Sequence, residues 1–117
     1  PRAIRDVYKR QIMARIISSN EFIENVENSK GIAVVDFFAT WCGPCKMLAP
    51  VFEEASMEAR GKAKFFKVDI DASERIAEKY GIYAVPTMIV FKDGKPVENL
   101  AGFMPKQNIL NKINAHL

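Results

Sequence analysis

Cysteine is scarce in this chain. Its 117 residues include two, Cys42 and Cys45, and a single histidine, His116. Two cysteines cannot form the dense disulfide framework of a small secreted domain. They also fall short of a tetrahedral zinc site, which takes four ligands, and His116, near the C-terminus, reads as a solvated or cap-region residue. No metal is expected. A structural disulfide between these two cysteines would close too short a loop to stabilise much. Long hydrophobic runs are missing too. No stretch approaches the ~20 apolar residues of a membrane-spanning helix. Beyond Met13, no apolar region of signal-peptide length precedes a small-residue cleavage site. The expectation is a cytoplasmic protein with no membrane partner, in a compartment that keeps thiols reduced. Internal repeats, low-complexity tracts and linkers are also absent, so the chain reads as one domain.

The body of the chain lacks an excess of either charge. The formal net charge is +3, and Arg2, Arg5, Lys9 and Arg10 against Asp6 alone account for it. From Met13 onward, acids and bases balance. Nucleic acid is therefore not an expected partner, since its basic footprint would have to lie on the folded part. Residues 1–12 show no helical or strand period, and 6–11 resemble the translation of a sequencing-library adapter. They read as a leader, non-native or disordered, with the domain at 13–117.

What the chain does have is apolar periodicity. Residues 14–17 form a short apolar run. Ser18 and Glu21 then make a capping box, with Phe22, Ile23 and Val26 behind it at helical spacing. Residues 32–38 (Ile-Ala-Val-Val-Asp-Phe-Phe) are nearly continuous apolar sequence, as in a strand covered on both faces. Pro44 suits the first turn of a helix. Met47, Leu48, Val51, Phe52 and Ala55 give that helix an apolar stripe, and Pro50 inside it is expected to kink it. A second core strand is expected over 63–70. A short helix follows over 74–80, capped by Asp71 or Ser73 and stopped by Gly81. Residues 88–91 and 97–101 read as a hairpin turning at Asp93-Gly94. Pro105 opens a last helix with Ile109, Leu110 and Ile113 on one face. The order β-α-β-α-β-α-β-β-α implies an α/β fold, a mixed central sheet flanked by helices on both faces.

The two cysteines stand where a strand runs into a helix, spaced Cys-x-x-Cys, which is a redox-site signal. A thiol reacts as its thiolate. Placing Cys42 at a helix N-terminus supplies unpaired N–H groups and partial positive charge, and both favour the anion. Cys45, one turn later, can resolve a mixed disulfide on Cys42, and Lys46 adds positive charge nearby. Asp36 is the other informative residue. A buried, unpaired carboxylate is costly and raises its pKa, so Asp36 can exchange a proton with Cys45. An Asp exposed on an edge strand is the alternative reading.

Trp41-Cys42-Gly43-Pro44-Cys45-Lys46, Val35-Asp36-Phe37, Lys67-Val68-Asp69, Tyr80-Gly81-Ile82, Val85-Pro86-Thr87, Phe91-Lys92-Asp93-Gly94 and Gly102, in this order and spacing, resemble the thioredoxin family. The resemblance runs from Met13 to Leu117. It implies the thioredoxin fold and a monomeric protein-disulfide reductase serving electron transport and cell redox homeostasis. It implies Cys42 as attacking thiolate, Cys45 as resolving thiol, Asp36 as buried proton acceptor and Lys67 as the residue tuning Asp36. It also implies a cis bond at Val85-Pro86. Trp41, Gly43, Pro44, Val85, Pro86, Gly102 and Phe103 would form the substrate-binding surface, with an extended substrate pairing with the Val85 backbone. Disulfide-containing proteins would be the substrates. A thioredoxin reductase would recycle the dithiol, and NADPH and flavin would reside only on that partner, so the chain itself needs no cofactor. Two positions depart from the family pattern. Phe38 stands where many members have a second Trp, and Phe103 is bulkier than the small residue common after that glycine. A non-catalytic binding subunit or holdase, and a disulfide oxidase or isomerase, are the alternative functions.

Overall fold

A computed structural model describes residues 14–117, so the leader and Met13 lie outside the described residues. Among the described residues, nine α-helices and strands follow in order. They are β1 (Arg15–Ile16), α1 (Ser19–Phe22), β2 (Ile32–Phe38), α2 (Gly43–Glu58), β3 (Ala63–Asp69), α3 (Glu74–Lys79), β4 (Thr87–Lys92), β5 (Lys95–Ala101) and α4 (Lys106–Asn114). The five strands form one sheet in the order β1-β3-β2-β4-β5. The β1–β3 and β2–β3 pairs are parallel, and β2–β4 and β4–β5 are antiparallel. The expected mixed sheet is therefore present, with β2 in its middle.

The pleat sorts β2 between two apolar layers, because successive side chains point to opposite faces. Val34 joins Leu48, Phe52 and Ala55 of α2 and Ile109 and Ile113 of α4. Val35 and Phe37 join Phe22, Val26, Ile76 and Ala77 on the other face. Burial on both sides is why β2 lacks the alternation of a half-exposed strand. The second layer is rich in rings: Phe22 meets Phe91 edge-on with centroids 5.6 Å apart, and Tyr80 meets Phe91 at 5.2 Å.

Ser18 caps α1 as its spacing requires. Its hydroxyl accepts from the Glu21 N–H at 3.2 Å, and its own N–H donates to Glu21 Oε1 at 3.1 Å. The α-helix then gives way to a π-helical segment, Ile23–Glu27, which periodicity did not reveal. The Asn25 side-chain amide donates to the Glu21 carbonyl at 2.9 Å. It thereby competes for an acceptor that an α-helix would give to the Asn25 backbone N–H, and this coincides with the widening. Glu27 closes the segment by accepting from Lys79 Nζ at 2.7 Å and from the Tyr80 hydroxyl.

Three other expectations change in detail. Ser73, not Asp71, holds the N-cap position of α3, and it does so without a side-chain cap bond. Met47, assigned to the apolar stripe of α2, is 64% exposed. His116, expected as a solvated or cap-region residue, takes the second place: it follows the C-cap Ala115 of α4 and is half-buried, with Nε2 2.7 Å from Glu98 Oε2. At the β4–β5 turn, Asp93 and Gly94 both adopt positive φ, at 51° and 83°, the backbone an Asp-Gly hairpin turn needs.

Candidate active site

The site lies at the C-terminal end of β2, where the chain enters α2. Cys42 holds the N-cap position of α2 in an extended conformation, and Pro44 falls in the first turn. The N–H groups of a first helical turn have no partner within the helix. One of them, the Cys45 backbone N–H, donates to Cys42 Sγ at 3.1 Å. Cys42 and Cys45 are joined as a disulfide with Cα atoms 5.3 Å apart, within the range such a bond spans. A Cys42 thiolate, formed on reduction, would occupy the place of this sulfur and inherit both that donor and the positive end of α2.

Both cysteines are buried, at 5% and 4% exposure, while Gly43, Pro44 and Lys46 around them are exposed. Ala39 clusters with the two cysteines, and Phe38, Ile70 and Val85 pack against that cluster. The Val85–Pro86 peptide bond is cis, and the Val85 carbonyl oxygen lies 3.6 Å from Cys42 Sγ. Pro86 in turn accepts from the Gly102 N–H at 2.8 Å. This ties the Gly102-Phe103 segment to the cis bond, and the Phe103 ring is 47% exposed. Trp41 is 68% exposed, and its indole Nε1 donates to Asp71 Oδ2 at 3.0 Å.

Asp36 follows Val34 onto the α2 face of β2 and is fully buried. Neither of its carboxylate oxygens has a hydrogen-bond partner among the described residues. Burial lifts its pKa from 3.8 to about 6, and the Lys67 ammonium pulls the other way. Lys67 is the register partner of Asp36 on β3, and its Nζ lies 4.9 Å from the centroid of the Phe38 ring. The edge-strand alternative for Asp36 is thereby excluded, since β2 is central.

Three residues of this surroundings escaped sequence reading. Asp71 was singled out only as a helix cap, and nothing local links it to an indole 30 residues away. Met47 was assigned to the apolar stripe, but the buried face of α2 runs through Cys45, Leu48, Phe52 and Ala55, and Met47 lies beside it. Tyr83 is 96% exposed two residues before Val85, in a loop with no period to mark it. Among the described residues, no group of three or more His, Cys, Asp or Glu is placed to hold a metal ion. No helix there is long and apolar enough to cross a membrane.

Comparison with known proteins agrees with this geometry. A family model described as Thioredoxin matches residues 13–115. Thioredoxin of Staphylococcus aureus is 46% identical over 101 residues, which cover 86% of this chain and 95% of that protein. Thioredoxin of Staphylococcus haemolyticus matches with the same identity and coverage. The crystal structure of Malassezia sympodialis thioredoxin superposes with a TM-score of 0.80 at 40% identity, over 88% of this chain and 90% of that one. A dithiol that closes into a disulfide at a helix N-terminus, on this sheet and with these relatives, leaves one conclusion. The chain belongs to the thioredoxin family, the protein-disulfide reductases that exchange a Cys-x-x-Cys dithiol for a disulfide.

Proposed function

We propose that this chain works as a monomeric, cytoplasmic reductase of disulfide-containing proteins, with Cys42 as its nucleophile and a thioredoxin reductase as its source of electrons. The observation carrying the reading is the Cys45 N–H on Cys42 Sγ at the start of α2. A donor and a helix end aimed at one sulfur stabilise its anion.

The reaction then runs in two displacements. The Cys42 thiolate attacks one sulfur of the substrate disulfide. A Cys42–substrate disulfide forms, and the other substrate sulfur leaves as a thiolate. Asp36 takes the proton of Cys45, and the Cys45 thiolate attacks Cys42 Sγ. The Cys42–Cys45 disulfide forms, and the second substrate thiolate departs. Two electrons have passed to the substrate. The partner reductase returns them from NADPH through its flavin, and this chain needs no cofactor of its own. Lys67 moderates the affinity of Asp36 for its proton. The extended substrate pairs with the Val85 backbone, over a surface formed by Trp41, Gly43, Pro44, Pro86, Gly102 and Phe103. The exposure of Trp41 and Phe103 and the closeness of the Val85 carbonyl to Cys42 support this placement.

The test is NADPH-coupled reduction of insulin in the presence of a thioredoxin reductase. Turnover that requires both cysteines is the expected result. Binding of substrate without turnover would point instead to a binding subunit. A redox potential far above the thioredoxin value of about −270 mV would point to an oxidase or isomerase.

A further inference from the structure

Between α2 and the sheet lies a second carboxylate that the reaction above does not use. Glu53, on α2, accepts the Ala14 backbone N–H at both oxygens, 3.2 and 3.0 Å away. This fixes where it sits. Ala14 belongs to the apolar layer under α2. It immediately precedes Arg15, the register partner of Phe66 on β3, so the Glu53 carboxylate lies over the β1–β3 seam at about the level of Phe65. Phe65 faces the α2 layer and Phe66 the opposite one. By the same alternation Lys67 faces α2, about 6–7 Å further along the strand. Lys67 is thus flanked by Glu53 on one side and by Asp36, its register partner on β2, on the other. Neither carboxylate is close enough to form a salt bridge with it. The ammonium instead lies over the Phe38 ring at 4.9 Å.

We propose that Glu53 is a positioning residue for the dithiol reaction: it shares the Lys67 ammonium with Asp36 and so sets how strongly that ammonium favours the Asp36 carboxylate. The inference rests on the proposed role of Asp36 as proton acceptor for Cys45. The electrostatics point the same way. Burial raises the Glu53 carboxyl, and the Ala14 N–H and then Lys67 oppose that rise, while Lys67 also opposes the rise at Asp36. Among the described residues, the strand and α4 neighbours carry no competing charge. The register partner of Lys67 on β1 is Ile16, that of Asp36 on β4 is Met88, and α4 contributes Ile109 and Ile113 to this layer. From α2, Lys46, Glu54 and Glu58 are exposed and Cys45 is held in the disulfide, which leaves Glu53 as the titratable group of that helix turned toward Lys67. With Glu53 neutral, the ammonium has one anionic neighbour left and moves toward Asp36, which then holds its proton less tightly.

Glu53→Gln separates this role from a structural one, because the amide oxygen still accepts the Ala14 N–H. The measurement is the titration midpoint of the Asp36 carboxyl by carbon-13 NMR in the oxidised full-length protein, with Asp36→Asn identifying the signal. Glu53→Gln is expected to lower the midpoint by about half a pH unit, roughly a threefold loss of proton affinity. The same change in a Lys67→Gln background is expected to move it much less, since the effect passes through the ammonium. The pH profile for release of the Cys42 mixed disulfide should shift in parallel. An Asp36 midpoint in Glu53→Gln that overlays the unmodified protein overturns the inference, as does an equal shift with Lys67 absent. If Asp36→Asn leaves the pH profile of mixed-disulfide release unchanged, the proton-acceptor role of Asp36 fails instead, a result separate from any movement of the midpoint.

Discussion

Cys42 Sγ and the Val85 carbonyl oxygen stand 3.6 Å apart, although 43 residues separate them in the chain. In the proposed function, a substrate strand laid against the Val85 backbone would bring its disulfide onto Cys42. Cys42→Ser should abolish turnover. Cys45→Ser should keep the first displacement and lose the second, with steady-state turnover falling roughly 100-fold or more. A covalent adduct with the substrate should accumulate, visible on a non-reducing gel and released by added thiol. Full activity in Cys45→Ser would remove the resolving role assigned to that sulfur.

The cost of burying Asp36 depends on pH. Its carboxyl titrates at about 6 in the folded protein against an ordinary 3.8. Below the lower value both folded and unfolded chains are protonated, and no cost arises. Between the two values the folded protein keeps a proton that the unfolded chain has released, so stability falls as pH rises. Above pH 6 the full cost is about 3 kcal/mol. Asp36→Asn should therefore stabilise the oxidised protein by about 2–3 kcal/mol near pH 8, and hardly at all near pH 3.5. Urea unfolding at the two pH values measures the difference. An equal gain at both would assign the effect to packing rather than charge.

Asp71 holds the Trp41 indole by one hydrogen bond at 3.0 Å. Both residues are exposed, so Asp71→Ala should change unfolding free energy by no more than about 0.5 kcal/mol. It should instead loosen the ring. Trp41 is the only tryptophan, so fluorescence anisotropy reads its motion without ambiguity and should fall. The Michaelis constant for protein substrates should rise roughly two- to fivefold, because the freed ring must be ordered on binding, with the maximal rate little changed. Unaltered anisotropy would show that this bond does not restrain the indole.

Two glycines with the same backbone twist should respond differently to alanine. Gly94 and Gly31 have φ of 83° and 80°. A Cβ on Gly94 would collide with the Glu27 carbonyl, whose carbon would lie 3.0 Å away, whereas one on Gly31 meets nothing within 4 Å. Gly31→Ala should cost about 1 kcal/mol, the left-handed penalty alone. Gly94→Ala should cost roughly 2–4 kcal/mol, since backbone overlap adds to it. Equal losses in urea unfolding would mean that the hairpin shifts to make room.

The parts of this molecule legible in its sequence are those governed by neighbours in the chain. The bounds 32–38 coincide with β2 because a strand buried on both faces writes itself as one apolar run. Cys42-Gly43-Pro44-Cys45 marks a strand-to-helix junction with two thiols, and Asp93-Gly94 marks a turn, each within four residues. Ser18 and Glu21 predicted their own cap. The strand order β1-β3-β2-β4-β5 had no such local mark. Neither did the Asp71–Trp41 bond, nor the approach of Glu53 to Ala14 39 residues away, because long-range packing decides all three. Asp36 lies between these cases. Its burial followed from apolar neighbours on both sides, but its lack of any hydrogen-bond partner among the described residues did not.

The sheet described above has two outer rims, and each is a poor template. On one side β1 offers, among the described residues, only Arg15 and Ile16. On the other, Lys95 and Pro96 begin β5, and its register slips between Val90 and Phe91 of β4. Charge, a missing N–H and an irregular ladder all discourage a foreign chain from joining there. If substrates engage at the Cys42 end as proposed, the flanks of the sheet would not compete for them, and two copies of the fold would not zip together rim to rim.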